Sequence, residues 1–247
     1  MGSHVGRAVA AFAVLAFVLP ADEALAAGPI LLTQAKALAG GITPGDAPGF
    51  PITLSKSGSY VFKSNLLPPA GVNGIEVTVP YVTIDFGGFL LHGGNAASIG
   101  ITTTGNALTV KNGTIAHFKF NGIVASAFYA TIEHMRVVEN GNEGINLGDY
   151  ASVVGSTISA NGSHGIDCGY YCHIEGNVLS SNHNRGVHVV SGTILGNTIQ
   201  NNTSQGILTD SNTGYGNNTL VGNNSGGDQI AGFLIRLQPN ACNPACP

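Results

Sequence analysis

The feature that most constrains this chain is an internal period of about 21 residues. A Gly followed by Ile or Val recurs at Gly74-Ile75, Gly100-Ile101, Gly122-Ile123, Gly144-Ile145, Gly165-Ile166, Gly186-Val187 and Gly206-Ile207. The spacings are 26, 22, 22, 21, 21 and 20 residues. A second apolar column runs through Ile84, Val110, Ile132, Val153, Ile174, Ile194 and Tyr215. A third follows at Phe89, Ile115, Val137, Ile158, Leu179, Ile199 and Leu220. Asn140, Asn161, Asn182, Asn202 and Asn224 come after it as turn residues. Gly and Asn suit such turns because they tolerate positive φ and tight bends.

Each period therefore holds three short strands divided by turns. One such coil cannot bury its apolar side alone, but stacked coils can, with strands in parallel pairing. The pattern predicts an all-β chain wound as a right-handed parallel β-helix, with three short strands per coil and about seven to eight coils. A leucine-rich repeat is excluded by the absence of a Leu-dominated pattern. A helical array is excluded because Gly and β-branched residues interrupt every 3.6-residue window. Residues beside each inward Ile point outward, as strand alternation requires.

Composition sharpens this picture. Charged residues make up only 9% and hydrophobic residues 43%, with 36 Gly. Such a chain resembles a low-complexity linker, but a disordered chain has no reason to space its apolar residues regularly. The net charge of −4 and the lack of clustered Lys and Arg argue against a nucleic-acid partner.

The N-terminus has the form of an export signal over residues 1–26. Arg7 precedes an apolar run from Ala8 to Leu19, and Ala24-Leu25-Ala26 fits a small-x-small cleavage site. The run is too short to span a bilayer. A secreted or periplasmic chain starting near Ala27, with no membrane span after cleavage, is expected. Residues 27–72 form the N-terminal cap and first irregular strands, with a short capping helix over Thr33 to Ala39 stopped by Gly40-Gly41 and Pro44. Residues 73–237 form the β-helix, with Ile230 to Leu237 as its last strand, and 238–247 a tail. The even count of Cys in an exported chain points to two local disulfides, Cys168 with Cys172 and Cys242 with Cys246. His164, Asp167, Cys168, Cys172 and His173 also have the residue types of a Zn²⁺ site, but an oxidising compartment favours the disulfide.

The segment from Gly176 to Asn202, GNVLSSNHNRGVHVVSGTILGNTIQNN, resembles the parallel β-helix repeat shared by the pectin-lyase-like superfamily and by carbohydrate-binding and sugar-hydrolase domains. The resemblance covers roughly residues 73 to 232 and implies an extracellular or periplasmic polysaccharide as partner. It also implies Ca²⁺ as a candidate cofactor, since pectate lyases in this superfamily hold the ion on carboxylates of neighbouring coils.

With the repeat aligned, outward residues form stripes. One stripe is Glu76, Thr102, Val124, Asn146, Asp167, His188 and Leu208; another is Asn73, Ile99, Asn121, Glu143, His164, Arg185 and Gln205. Adjacent coils thus bring Glu143, His164, Asp167, Arg185 and His188 into one patch, with Asp149 and Asp210 on the same face. These five are the candidate catalytic residues: Asp and His for proton transfer, Arg185 for a sugar carboxylate. Phe128, Tyr150 and Tyr171 match on consecutive coils, with Tyr129 and Tyr170 beside them. With Asn146 and Asp149 they are the candidate substrate-binding residues, although an aromatic stack filling the coil fits the same spacing. Neither three Asp with a Gly-His-Gly nor Arg-x-Pro-x-x-Arg occurs, and Ser163-His164-Gly165 only echoes the former. A lyase-like or hydrolase-like enzyme, a glycan-binding protein and a non-catalytic structural or surface-adhesive rod therefore all remain open.

Overall fold

The computed structural model describes residues 28–243, with Gly2 and Cys246. Apart from Gly2, the expected export signal and its cleavage site lie outside the described residues. The described chain is an all-β parallel solenoid of about nine turns. The expected seven to eight coils gain one before the Gly-Ile repeat and one after it.

Three stacks of parallel strands form the walls. The first holds the Gly-Ile strands: Ile52–Leu54, Ile75–Val77, Ile101–Thr103, Ile123–Ala125, Ile145–Leu147, Ile166–Cys168 and Val187–Val189. The opening residues of Ile207–Gly216 and Ile230–Arg236 continue it. Register is kept throughout, so that Ile145 pairs with Ile123 and Ile166. The second stack carries Ile84, Val110, Ile132, Val153, Ile174, Ile194 and Tyr215 inward, all buried. The third carries Leu91, Ile115, Val137, Ile158, Leu179, Ile199 and Leu220. Leu91, not Phe89, is the inward member of its coil: it pairs with Ile115, while Phe89 is only half-buried. The longer turn at Gly87-Gly88 moves the register by two residues.

The turn asparagines do something other than bend the chain. The positive-φ residues are Glu139, Ala160, Ser181 and Asn201, each one position earlier. The next residues, Asn140, Asn161, Asn182, Asn202 and Asn223, are buried and form a ladder. From Asn161 onward, each Oδ1 accepts from the backbone N and Nδ2 of the Asn one coil below, at 2.8–3.1 Å. The ladder member in the last of these coils is Asn223, not Asn224, which lies in the turn beyond. A second ladder, Ser156, Asn177, Asn197, Asn218 and Asn240, runs along another corner. Buried polar groups are costly unless bonded, so these columns satisfy corner amides that no strand pairs.

At the N-terminal end a helix spans Gln34–Ala39. Thr33 is its cap, with Oγ1 accepting from Lys36 N at 3.1 Å, and Gly40 ends it at φ 71°. Ala37 is buried in the core beneath it. The last long strand, Ile230–Arg236, buries Ile230 but leaves Phe233 and Ile235 exposed. No helix among the described residues is long and apolar enough to cross a membrane.

Candidate functional site

The first stack presents its outward residues in register. Asn146 pairs with Asp167, and Asp167 with His188. Strand alternation forces these three side chains out, because Ile145, Ile166 and Val187 beside them point in. Parallel strands lie about 4.8 Å apart, close enough for direct hydrogen bonds between consecutive coils.

The result is a chain of three ionisable groups. His188 Nδ1 lies 2.8 Å from Asp167 Oδ1, and His188 Nε2 lies 3.2 Å from Asp210 Oδ2. The Asp167 hydrogen bond raises the His188 pKa; burial opposes it, and the charges of Asp167 and Asp210 add to the rise. Burial pushes the Asp167 carboxyl up, but the His188 hydrogen bond, with the His188, His164 and Arg185 charges, outweighs it and holds the group below its ordinary range. His188 thus favours its protonated form more than a free histidine does, and both its ring nitrogens are engaged by carboxyl groups.

The neighbouring stripe holds Glu143, His164 and Arg185. The His164 ring lies 5.7 Å from that of His188. Its Nδ1 faces Arg185 N at 3.4 Å and its Nε2 faces Asn184 Nδ2 at 3.4 Å. Burial lowers the His164 pKa, and nearby Arg185 and His188 add to this against the pull of Asp167 and Glu143. His164 is therefore shifted away from the protonated form, opposite to His188, and both its hydrogen bonds are long. Glu143 Oε2 accepts from Asn121 Nδ2 and Asn146 Nδ2, both at 2.8 Å. Arg185 makes no ion pair among the described residues, and its Nε is buried without a hydrogen-bond partner.

The ionisable patch thus assembles, but not every expected member joins it. Asp210 belongs to it. Asn146 reaches back to Glu143 and not to Asp167. Asp149 lies at the next corner, its Oδ1 accepting from Tyr170 N at 2.9 Å. That corner carries the aromatic residues, on the outside of the coil. Tyr129, Tyr150 and Tyr171 stack in sequence, with ring centroids 5.2 and 5.0 Å apart. Phe128 is not in this column; it meets Tyr150 edge-on at 6.4 Å. Cys168 and Cys172 form a disulfide just inside this corner, and Cys242 pairs with Cys246.

Asn121 and Asn184 were not among the expected site residues, yet both hold site side chains. Asn121 shares with Glu143 and Arg185 the position directly before the Gly-Ile or Gly-Val pair, and Asn184 lies one position earlier, matching Asn142 and Ser163. A concavity of about 510 Å³ lies elsewhere. It opens at the asparagine corner among His117, Lys119, Glu139, Gly141, Gly162 and His183. It is an open hollow over Gly141 and Gly162 and touches none of the coupled Asp and His groups. The coupled Asp and His groups sit on the flat wall.

No group of three or more His, Cys, Asp or Glu side chains converges to hold a metal ion among the described residues. Asp167 and Asp210 each bond His188, and Glu143 takes two amides. A resident Ca²⁺ therefore finds no preassembled ligand set on this face.

No protein-family model and no curated protein matches the chain. Solved structures do resemble it. Pectate lyase Pel9A aligns with a TM-score of 0.53 and 14% identity over 81% of this chain and 68% of that one. The Dettilon tailspike protein aligns at 0.43, with 13% identity over 75% and 58% of the two chains. The A-module of the mannuronan C-5 epimerase AlgE4 of Azotobacter vinelandii aligns at 0.38, with 14% identity over 79% and 81%. The Pel9A alignment carries the comparison and, at such low identity, speaks for fold alone. With the three in-register stacks, it makes this chain a parallel β-helix of the pectin-lyase-like fold.

Proposed function

We propose that this protein is exported and binds an acidic polysaccharide on the outward face of its first strand stack, with Arg185 taking a sugar carboxylate. The observation that carries this is the Arg185 side chain, a cation whose Nε is buried with no hydrogen-bond partner among the described residues, while Asp167, His188 and Glu143 around it are hydrogen-bonded. A buried N–H without a partner is costly, and a carboxylate satisfies a guanidinium through two parallel hydrogen bonds. Asn184 and His164 lie beside it and offer polar atoms to sugar hydroxyls.

Binding is better supported than chemistry on this face. His188 has both nitrogens engaged by carboxylates, so it has no free N–H to give. His164, with both contacts at 3.4 Å, is the more loosely held imidazole of this face. The short turns leave the wall flat, which also suits a non-catalytic adhesive rod. Two features are compatible with export: the N-terminal signal pattern, and the Cys pairs, which persist in oxidising compartments.

The test is affinity electrophoresis of the full chain in native gels containing polygalacturonate, alginate or a neutral glucan. Retardation in the two acidic gels, relieved by salt and lost in Arg185→Ala, is expected. Equal mobility in all three gels would sink the proposal. Retardation unchanged by Arg185→Ala would move the binding site off this face.

A further inference from the structure

The exposed tyrosine column stops abruptly, and the reason lies in a turn length. Between the first and second stacks, Leu147 to Ser152 and Cys168 to His173 are each five steps. Val189 to Thr193, in register with Cys168 and His173, is four. The coil above Tyr171 is therefore one residue short at this corner. In the tyrosine column it places Ser191, which is buried, and then Gly192. The next coil restores the longer turn and brings Asn212 to the column, beside Thr213, which pairs with Gly192.

The missing residue leaves a notch one coil high. It is lined by Tyr171, Cys172, His173, Ser191, Gly192, Thr193 and Asn212 and holds about 300 Å³. Its floor cannot fill in. A Cβ on Gly192 would lie 2.0 Å from Cys172 O, and its φ of 154° disfavours a side chain. Its lower wall is the Tyr171 ring. Tyr150 stacks on one face of that ring at 5.0 Å and Tyr170 meets it tilted at 6.2 Å; no other aromatic ring among the described residues packs on it. Tyr171 is 63% exposed.

Two coil steps separate the levels of Tyr171 and Asn212, about 9.6 Å at the usual strand spacing. A single six-membered ring fills that height in van der Waals contact with both levels. Beside the Tyr171 ring the lining includes Thr193 Oγ1, 2.8 Å from His173 Nδ1, and the Asn212 amide. We infer that it is a second binding site, which takes one pyranose ring against the free face of Tyr171 with its hydroxyls toward Thr193 and Asn212. A planar aromatic ring would use the wall but offer nothing to the Asn212 amide or the second lone pair of Thr193 Oγ1; a sugar uses both. The inference rests on the reading that the chain binds polysaccharide. It needs neither Arg185 nor any charge on the sugar.

That difference makes the two readings separable. The experiment is an NMR titration of the full chain with trigalacturonate and with its fully methyl-esterified, uncharged form. The neutral ester is expected to bind wild type and to protect the Tyr171 ring signals. Tyr171→Ala should weaken both probes roughly 5- to 10-fold, in line with the size of one ring-stacking contact. Ser191→Tyr, which extends the column into the notch, should abolish ester binding. Arg185→Ala should weaken only the charged probe. If Tyr171→Ala and Ser191→Tyr both leave the ester affinity unchanged while Arg185→Ala weakens trigalacturonate, the notch is overturned and the acidic face stands. If the ester binds through Tyr171 and Arg185→Ala changes nothing, the notch stands and the acidic face falls. Binding of p-cresol at Tyr171 with no binding of either sugar would overturn the pyranose assignment.

Discussion

His188 and Asp167 sit on adjacent coils with Nδ1 and Oδ1 2.8 Å apart, and the repeat itself creates this contact. Each is the residue after an inward Ile or Val. The register that stacks the core therefore also stacks the site.

The two imidazoles should respond to pH in opposite directions. The raised His188 pKa means that the folded chain holds this proton more tightly than the unfolded chain. Its stabilisation is complete below the ordinary value of 6.5 and is lost as pH climbs through the raised one. His164 has a lowered pKa, so its contribution is present above 6.5 and is lost as pH falls through the lowered one. Urea midpoints across about pH 5 to 9 should show His188→Gln flattening the alkaline decline and His164→Gln flattening the acid decline. Identical profiles for the two variants would contradict this assignment.

Arg185 should trade stability for binding. Arg185→Met keeps the aliphatic stem and removes the buried, unpartnered Nε. The free protein is expected to gain about 1 kcal/mol in denaturant unfolding. The same variant should lose retardation in acidic gels. A destabilised Arg185→Met would show that the guanidinium is already satisfied in the free protein.

The asparagine ladder should be far more sensitive than its sequence neighbours. Asn182 Oδ1 accepts from Asn161 N and Nδ2, and its own Nδ2 reaches Asn202 Oδ1. Asn182→Ala should cost about 2–3 kcal/mol, because it strands buried donors and acceptors on both sides. Thr203→Ala, an exposed residue one position past Asn202 and outside the positive-φ set, should stay within about 0.5 kcal/mol of wild type. Equilibrium unfolding of the two variants decides this.

Gly113 marks a point where the coil has no room at all. A Cβ there would lie 2.1 Å from the Phe86 Cβ, and Phe86 is fully buried against Phe62 at 4.1 Å. Gly113→Ala should destabilise by about 3 kcal/mol through overpacking. Gly88→Ala, which meets nothing within 4 Å, isolates the effect of positive φ alone.

The wall of the rod was legible in the sequence because burial and strand pairing share one period. Ile145, Ile166 and Val187 announced the first stack, and Asn146, Asp167 and His188 came with them. Corners were harder to read. Phe128 was matched to Tyr150 because 22 residues separate them, as they do Gly122 and Gly144. The extra residue of that coil lies in the turn before Tyr129, so Tyr129 takes the column position. Asn140 and Asn161 read as bend-formers because Asn is a common turn residue; that they are buried depends on coils above and below, which no local window contains. The notch at Ser191 left only a spacing of 20 where 21 had been the rule.

The asparagine column also limits how such a molecule can change its length. The column begins where Phe118 N donates to Asn140 Oδ1, with Phe118 itself carrying no amide to pass on. It ends where Gln229 accepts from Asn223 and folds its own Nε2 back onto Asn223 O and Gly227 O. Every link points the same way, from donor below to acceptor above. A duplicated coil spliced between Asn140 and Asn223 would arrive with one acceptor and one donor and re-form the column unaided. A coil appended beyond Gln229 would meet a column already closed. Growth or shrinkage by whole periods in the interior is therefore the mutational route this architecture leaves open.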